Sequence, residues 1–310
     1  LSLEIFNHLG GLNFDEKDFQ LALGYELEKK GIEYIPYKNV TNEFLISIYQ
    51  KRLIAANQAS NKYVVHSNHD ERYTYHGLLA CVSELENNKD LIFCAGQAVA
   101  VRKAEKEIYY ARSYKNLSEY KNISGVKMRI YNHAEKYVPI AHYSVWRKIF
   151  FIDTLERTIF VHDTISSNPS LLDELIFEFS ADLSGNSKAI NEIYWVRNRI
   201  NTPSIPANKY NLQHSLKIFE NKMNLLLGNL NDFKVGILIN VLYENLPLLQ
   251  TKSFFEKSIL LIKLIIKKVF NLKTKEKKRA ENFDNIEHLL NDSKINYEKK
   301  DIKYLLDSMK

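Results

Sequence analysis

The stretch Tyr63-Val64-Val65-His66-Ser67-Asn68-His69-Asp70-Glu71-Arg72-Tyr73-Thr74-Tyr75-His76-Gly77-Leu78 decides how this chain is read. Tyr63 to His66 has the aromatic and β-branched composition of a strand. A polar knot from Ser67 to Arg72 ends it, and a helix is expected over about Gly77 to Asn87. The next apolar run, Leu91-Ile92-Phe93-Cys94-Ala95, reads as another strand. Strand, helix, strand in that order predicts an α/β sheet with helices on both faces. Ligands of such sheets sit outside the carboxyl ends of the strands, which is where the knot falls.

Toward the N-terminus, Leu3 to Gly11 carries Leu3, Phe6 and Leu9 on one side and reads as a helix with a Gly-Gly stop. Phe19 to Tyr25 and Ile32 to Tyr37 read as strands. Thr41 suits the cap of a helix over about Asn42 to Ser60, with Phe44, Leu45, Ile48 and Leu53 as its apolar stripe. Beyond residue 210 the pattern is helical: Asn208 to Leu230, Phe233 to Leu249 and Ser253 to Leu272. The lysine-rich run Lys273 to Arg279 reads as an exposed linker, followed by short helices near Ile286 to Leu290 and Asp301 to Met309. The expected division is one domain over 1–205 and a helical region over 206–310.

The 310 residues are 45% hydrophobic and 26% charged, the balance of an ordinary soluble protein with a sizeable core. Only 10 Gly and 6 Pro favour long regular elements over a loop-rich β architecture. Cys81 and Cys94 show neither metal-type nor redox-type spacing, so a disulfide framework is not expected and a reducing compartment is. No signal-peptide pattern occurs, nor an uninterrupted apolar run of roughly 18 residues. The expected location is cytoplasmic, at the inner face of the membrane. The opening at Leu1 rather than Met reads as a fragment or a processed piece.

A net charge of +6 suits acidic partners such as nucleotide phosphates or anionic lipid. Between Lys257 and Leu272, Lys257, Lys263, Lys267 and Lys268 fall on one side of an otherwise apolar helix at about 100° per residue. Such a helix can lie in a membrane interface, giving a peripheral membrane contact, or pack on its neighbours with its lysines in water. Nucleic acid is not an expected partner, because the basic run is short and lacks interleaved aromatics.

With its apolar strand, acidic knot and helix-opening Gly77, the chain resembles the bacterial GT-A type, family-2-like glycosyltransferases of the surface-polysaccharide branch. In that family the strand runs into a triple-Asp cluster. The likeness extends over roughly Leu3 to Arg199. Its further pieces are Ile92 to Gln97, Met128 to His133, Ala141 to Arg147, Leu171 to Glu178, and Gly185 to Ile190 with Ile193 to Arg197.

The resemblance implies an α/β fold of GT-A type, a mixed sheet flanked by helices, followed by a helical C-terminal region. It implies transfer of a sugar from a nucleotide-sugar donor to the hydroxyl of a glycan or lipid-linked acceptor, with inversion. On this register His69, Asp70 and Glu71 hold Mg²⁺ or Mn²⁺, and Asp70 and Arg197 meet the donor's diphosphate. Glu174 is the implied base, with Asp173 the fallback, and His142 and Tyr143 line the acceptor cleft.

Two departures stand out. A His and a Glu occupy positions where Asp is expected, and the chain is expected to enter at a helix, without the family's nucleotide-cupping strand. The altered triplet motivates the alternative of a catalytically degenerate domain acting as a glycan-binding or membrane-associated interaction module. A third reading, an adaptor driven by the basic helices, comes from a different class. The same residues also have purely structural readings. Asp173 and Glu174 complement a helix dipole, Arg197 makes a surface ion pair, His142 and Tyr143 pack, and Trp146 sits in the core.

Overall fold

A computed structural model describes residues 3–8, 32–36, 48–68, 71–104, 107–114, 117, 120–122, 124–165, 173–198, 212–230, 233–245 and 285–308. The readings at Phe19 to Tyr25, Thr41 and the lysine-striped segment 253–279 lie outside them.

The strands are β1 Leu3–His8, β2 Ile32–Pro36, β3 Tyr63–Asn68, β4 Glu71–Tyr73, β5 Leu91–Ala104, β6 Glu107–Ser113, β7 Lys121–Asn122, β8 Val145–Arg147 and β9 Asn186–Asn198. They form a mixed sheet in the order β2-β1-β3-β8-β5-β9-β4, with β6 paired to β5 and β7 to β9. β1 runs parallel to β2 and β3, and β5 parallel to β9, while β8 runs antiparallel between β3 and β5. The helices are α1 Ile48–Gln58, α2 Tyr75–Asn87, α3 Val126–Glu135, α4 Lys148–Thr164, α5 Asp173–Ser184, α6 Leu212–Leu227, α7 Val235–Asn245, α8 Ile286–Asp292 and α9 Lys299–Ser308. The expected mixed α/β sheet flanked by helices is therefore present.

One expectation is corrected. Leu3 to His8 is a strand, not the start of a helix. The three-residue spacing of Leu3, Phe6 and Leu9 is too short a run to define a helical face. Pairing with β2 on one side and β3 on the other satisfies the backbone amides and carbonyls of this segment in the sheet. The chain thus enters at a strand whose carboxyl end reaches the knot, since Asn7 pairs with Ser67 and His8 with Asn68.

Three apolar clusters hold the layers together. The largest centres on Tyr63, Phe93, Trp146, Phe151 and Phe177. Trp146 is fully buried there and donates Nε1–H to the Ala141 carbonyl at 2.8 Å, the expected core role. A second cluster joins α3, α5, α6 and α7 through Ile130, Phe179, Met223 and Leu238. A third packs Ile286, Leu290 and Ile302 of the C-terminal helices on Val99, Val101 and Val196 of the sheet. Among the described residues, no helix is long and apolar enough to cross a membrane.

The start of α2 fixes how the knot is left behind. Thr74 caps the helix by accepting from Gly77 N at 3.1 Å and donates to the Ile193 carbonyl at 2.6 Å. A Cβ at position 77 would overlap the Ile193 carbonyl and the Thr74 hydroxyl, so glycine is required by this close approach.

Candidate active site

The candidate site lies at the paired carboxyl ends of β1 and β3, where the chain runs through the knot into β4. His66 and Ser67 at the end of β3 are buried, and the Tyr73 hydroxyl folds back to donate to the His66 carbonyl at 2.8 Å. β4 is antiparallel to β9, with Glu71 opposite Arg197 and Tyr73 opposite Trp195. Two of the expected site residues, Glu71 and Arg197, are therefore brought into register on neighbouring strands. His69 and Asp70 lie outside the described residues, and of Glu71 and Asp173 only the backbone is described. Among the described residues, no group of three or more His, Cys, Asp or Glu could hold a metal ion.

Arg197 is not a surface residue. It is only 8% exposed and lies in an aromatic cage. Its guanidinium sits 4.7 Å from the Trp195 ring centre, 5.1 Å from Tyr143 and 5.4 Å from Tyr114. It also donates to the Tyr143 hydroxyl at 3.4 Å and to the Tyr114 hydroxyl. Tyr143 stacks on Trp195 at 3.9 Å, so the short 3-10 turn Ala141–Tyr143 is keyed directly to the end of β9. Delocalised charge against ring faces is a favourable use of arginine.

Glu174 stands in the first turn of α5, half-buried, and accepts from the Tyr137 hydroxyl at 2.7 Å. Electrostatically close to it is Arg52 of α1, which sequence reading missed. Arg52 is 7% exposed, lies over the rings of Tyr49 and Phe177, and its Nε has no hydrogen-bond partner among the described residues. Burial pushes its guanidinium down from the usual range, while Tyr49, Tyr143, Glu174 and Tyr73 oppose that shift electrostatically. Burying a cation is costly unless opposite charge or hydrogen bonds compensate it. Its signal was available in the sequence. Arg52 occupies an otherwise buried helical face with Tyr49, Ala55, Ala56 and Ala59.

Behind Glu174 runs a buried file of titratable groups. Glu178 accepts from Ala141 N at 2.9 Å and His142 N at 3.0 Å, and shares a 2.6 Å hydrogen bond with His142 Nδ1. His133 meets Asp182 at 2.8 Å through Nδ1 and the Val138 carbonyl at 2.8 Å through Nε2. Burial pulls the His133 imidazolium down, but Asp182, Glu178 and the Val138 carbonyl outweigh it and raise it to about 9. Burial lifts Glu178 to about 8 against His133 and the two amides. Burial, then the nearby charges of Arg52 and His66, push His142 well below its usual value, so its ring is neutral. His142 is thus packed and hydrogen-bonded inside, while its neighbour Tyr143 reaches the Arg197 cage.

No known protein family matches this sequence, and no curated protein matches it. Among solved structures, S. aureus TarS 1-349 is 13% identical, with 86% of this chain and 76% of that chain covered and a TM-score of 0.43. The same protein in complex with UDP-GlcNAc is 12% identical, covering 86% of this chain and 77% of that one, with a TM-score of 0.43. Its complex with UDP is 10% identical, covering 87% and 77%, with a TM-score of 0.40.

Proposed function

We propose that this chain is a glycosyltransferase that moves a sugar from a nucleotide-activated donor to an acceptor hydroxyl, with inversion, in surface-glycan synthesis. One observation carries the reading: the carboxylate of Glu174 lies within electrostatic reach of the buried cation of Arg52, with Tyr73 and Tyr143 beside it. A transferase of this type needs a base for the incoming hydroxyl and positive charge for the departing diphosphate.

In this reading Glu174 takes the proton from the acceptor hydroxyl, with Asp173 beside it as the fallback. The freed oxygen attacks the anomeric carbon, the bond from that carbon to the phosphate oxygen breaks, and the nucleoside diphosphate leaves with the electron pair. Arg52 and Arg197 offset the charge that grows on the leaving group. The oxygen donors of Asp70 and Glu71 suit a hard divalent cation, Mg²⁺ or Mn²⁺, with His69 as a nitrogen ligand. Such a cation would supply further neutralisation at the diphosphate. Segment 257–279 would hold the protein at an anionic membrane face, near a glycan or lipid-linked acceptor.

The test is thermal shift and UDP-release turnover with UDP and UDP-sugars, including UDP-GlcNAc, with and without Mn²⁺. Metal-dependent stabilisation that is lost in Glu71→Ala, together with UDP release from a donor, is the expected result. No stabilisation by any nucleoside diphosphate would overturn the proposal. Nucleotide or glycan binding without turnover would instead favour the degenerate interaction module. Flotation with anionic liposomes, with and without residues 253–279, reads the membrane contact.

A further inference from the structure

Glu174, Glu178 and Asp182 follow one another at four-residue intervals on one face of α5. Each is met by a group from the segment that runs from α3 to β8. Asp182 meets His133 Nδ1 at 2.8 Å, Glu178 takes two amides and the His142 ring of the 3-10 turn, and Glu174 takes the Tyr137 hydroxyl. The two inner carboxylates are fully buried and the outermost is half-buried, so the file leads from the core to the site.

Tyr137 is the joint between that file and Glu174. Its ring stacks on the His133 imidazole at 5.6 Å with an interplanar angle of 16°. His133 is itself fixed at both nitrogens, by Asp182 and by the carbonyl of Val138. Because a carbonyl only accepts, Nε2 carries a proton in either charge state of the ring. The ring under Tyr137 is therefore held in one orientation, and the phenol is aimed from a clamped base. Burial, then the charges of Glu174 and Glu178, push the Tyr137 hydroxyl well above its ordinary value, so it stays a donor throughout the neutral range. His133 Nε2 also stands 3.6 Å from Glu178 Oε2, which places one ring against two of the three acidic side chains.

We infer that Tyr137 is a positioning residue for Glu174, with His133 as its support: the phenol fixes the carboxylate's rotamer toward the acceptor side without touching substrate itself. This rests on the reading of Glu174 as the base. A general base must lie within hydrogen-bond reach of the hydroxyl it deprotonates. A half-buried glutamate has three side-chain torsions, and a single donor aimed from a rigid ring removes most of that freedom.

The test compares the full chain with Tyr137→Phe and His133→Gln, using UDP release from a panel of UDP-sugars alongside UDP affinity by calorimetry. Tyr137→Phe keeps the ring and its packing, and is expected to lower kcat about tenfold while donor KM and UDP affinity stay within about twofold. His133→Gln is expected to lower kcat in the same sense. An unchanged kcat in Tyr137→Phe, or a loss confined to KM, overturns the inference. A second measurement needs no activity. In a double-mutant cycle of Tyr137→Phe with Glu174→Gln, the shifts in urea midpoint should be non-additive, because the two side chains share one hydrogen bond. Additive shifts overturn the inference. Non-additivity in a chain that neither binds UDP nor releases it leaves the contact in place and defeats the transferase reading alone.

Discussion

Asp301, near the C-terminus, caps the helix that follows the acidic knot. Its Oδ2 accepts from His76 N at 2.9 Å and its Oδ1 lies 3.1 Å from His76 Nδ1, across 225 residues of sequence. Thr74 already serves the Gly77 amide, so Asp301 satisfies the neighbouring free amide at the same helix start. A carboxylate there also faces the positive end of the helix dipole. The C-terminal helices therefore brace α2 from outside the sheet, while Ile286, Leu290 and Ile302 anchor them on its face.

Removing that cap should be felt as stability. Asp301→Ala is expected to cost about 1 kcal/mol, in the range measured for lost helix caps. Urea unfolding of the full chain is the measurement. Asp301→Asn keeps an acceptor oxygen and should recover part of the loss. An unchanged midpoint in Asp301→Ala would show that the amide is equally well served by water.

Arg52 should show the opposite balance, with stability given up for binding. Its buried Nε lacks a hydrogen-bond partner among the described residues, so Arg52→Met replaces an under-satisfied cation with an apolar side chain of similar length. The expected outcome is a urea midpoint equal to or above that of the native chain. Affinity for UDP should fall by about tenfold or more, since one charge-assisted contact to phosphate is lost. A marked drop in stability with unchanged UDP affinity would make Arg52 a packing residue.

Much of the sheet was legible because strands with an apolar core side, such as Tyr63 to His66 and Leu91 to Ala95, announce themselves by composition. The helix after the knot was legible from its opening glycine, Gly77, while its cap at Thr74 emerged only in the structure. Leu3 to His8 was misread because six residues carry too little periodicity to separate a strand from a helix, and only its two parallel neighbours settle the matter. The pairing of Glu71 with Arg197 was invisible for the same reason: β4 has three residues, and its register is set by β9. Glu174 was placed by resemblance. Its partner Tyr137 and the file of His133, Glu178 and Asp182 depend on how α3 lies against α5, which no local pattern records. For His142 both a cleft and a packing reading stood open, and the ring is committed to Glu178.

The buried file should make the protein less stable in alkali. His133 is raised from an ordinary 6.5 to about 9, so its contribution is complete below pH 6.5 and is lost as pH rises through about 9. Glu178 is raised from 4.5 to about 8, so the native state holds that proton too, and its contribution is lost as pH rises through about 8. Both effects have the same sign. The urea midpoint should therefore decline between about pH 6.5 and 9, and the decline should be shallower in His133→Gln. A midpoint that rises over that window would contradict the assigned protonation.

Glu174 and Asp173 are neighbours in the first turn of α5, and both complement its dipole, so charge alone does not separate their roles. Among the described side chains, Glu174 is held by a phenol at 2.7 Å and lies electrostatically close to Arg52, which favours it as the base. Glu174→Gln preserves shape and a hydrogen-bond acceptor but cannot take a proton. Its kcat for UDP release from a UDP-sugar is expected to fall about 10²-fold or more, the usual loss when a general base is removed, with UDP affinity maintained. Asp173→Asn should change kcat far less. The reverse ranking would move the base to Asp173 and leave Tyr137 holding a residue that only shapes the cleft.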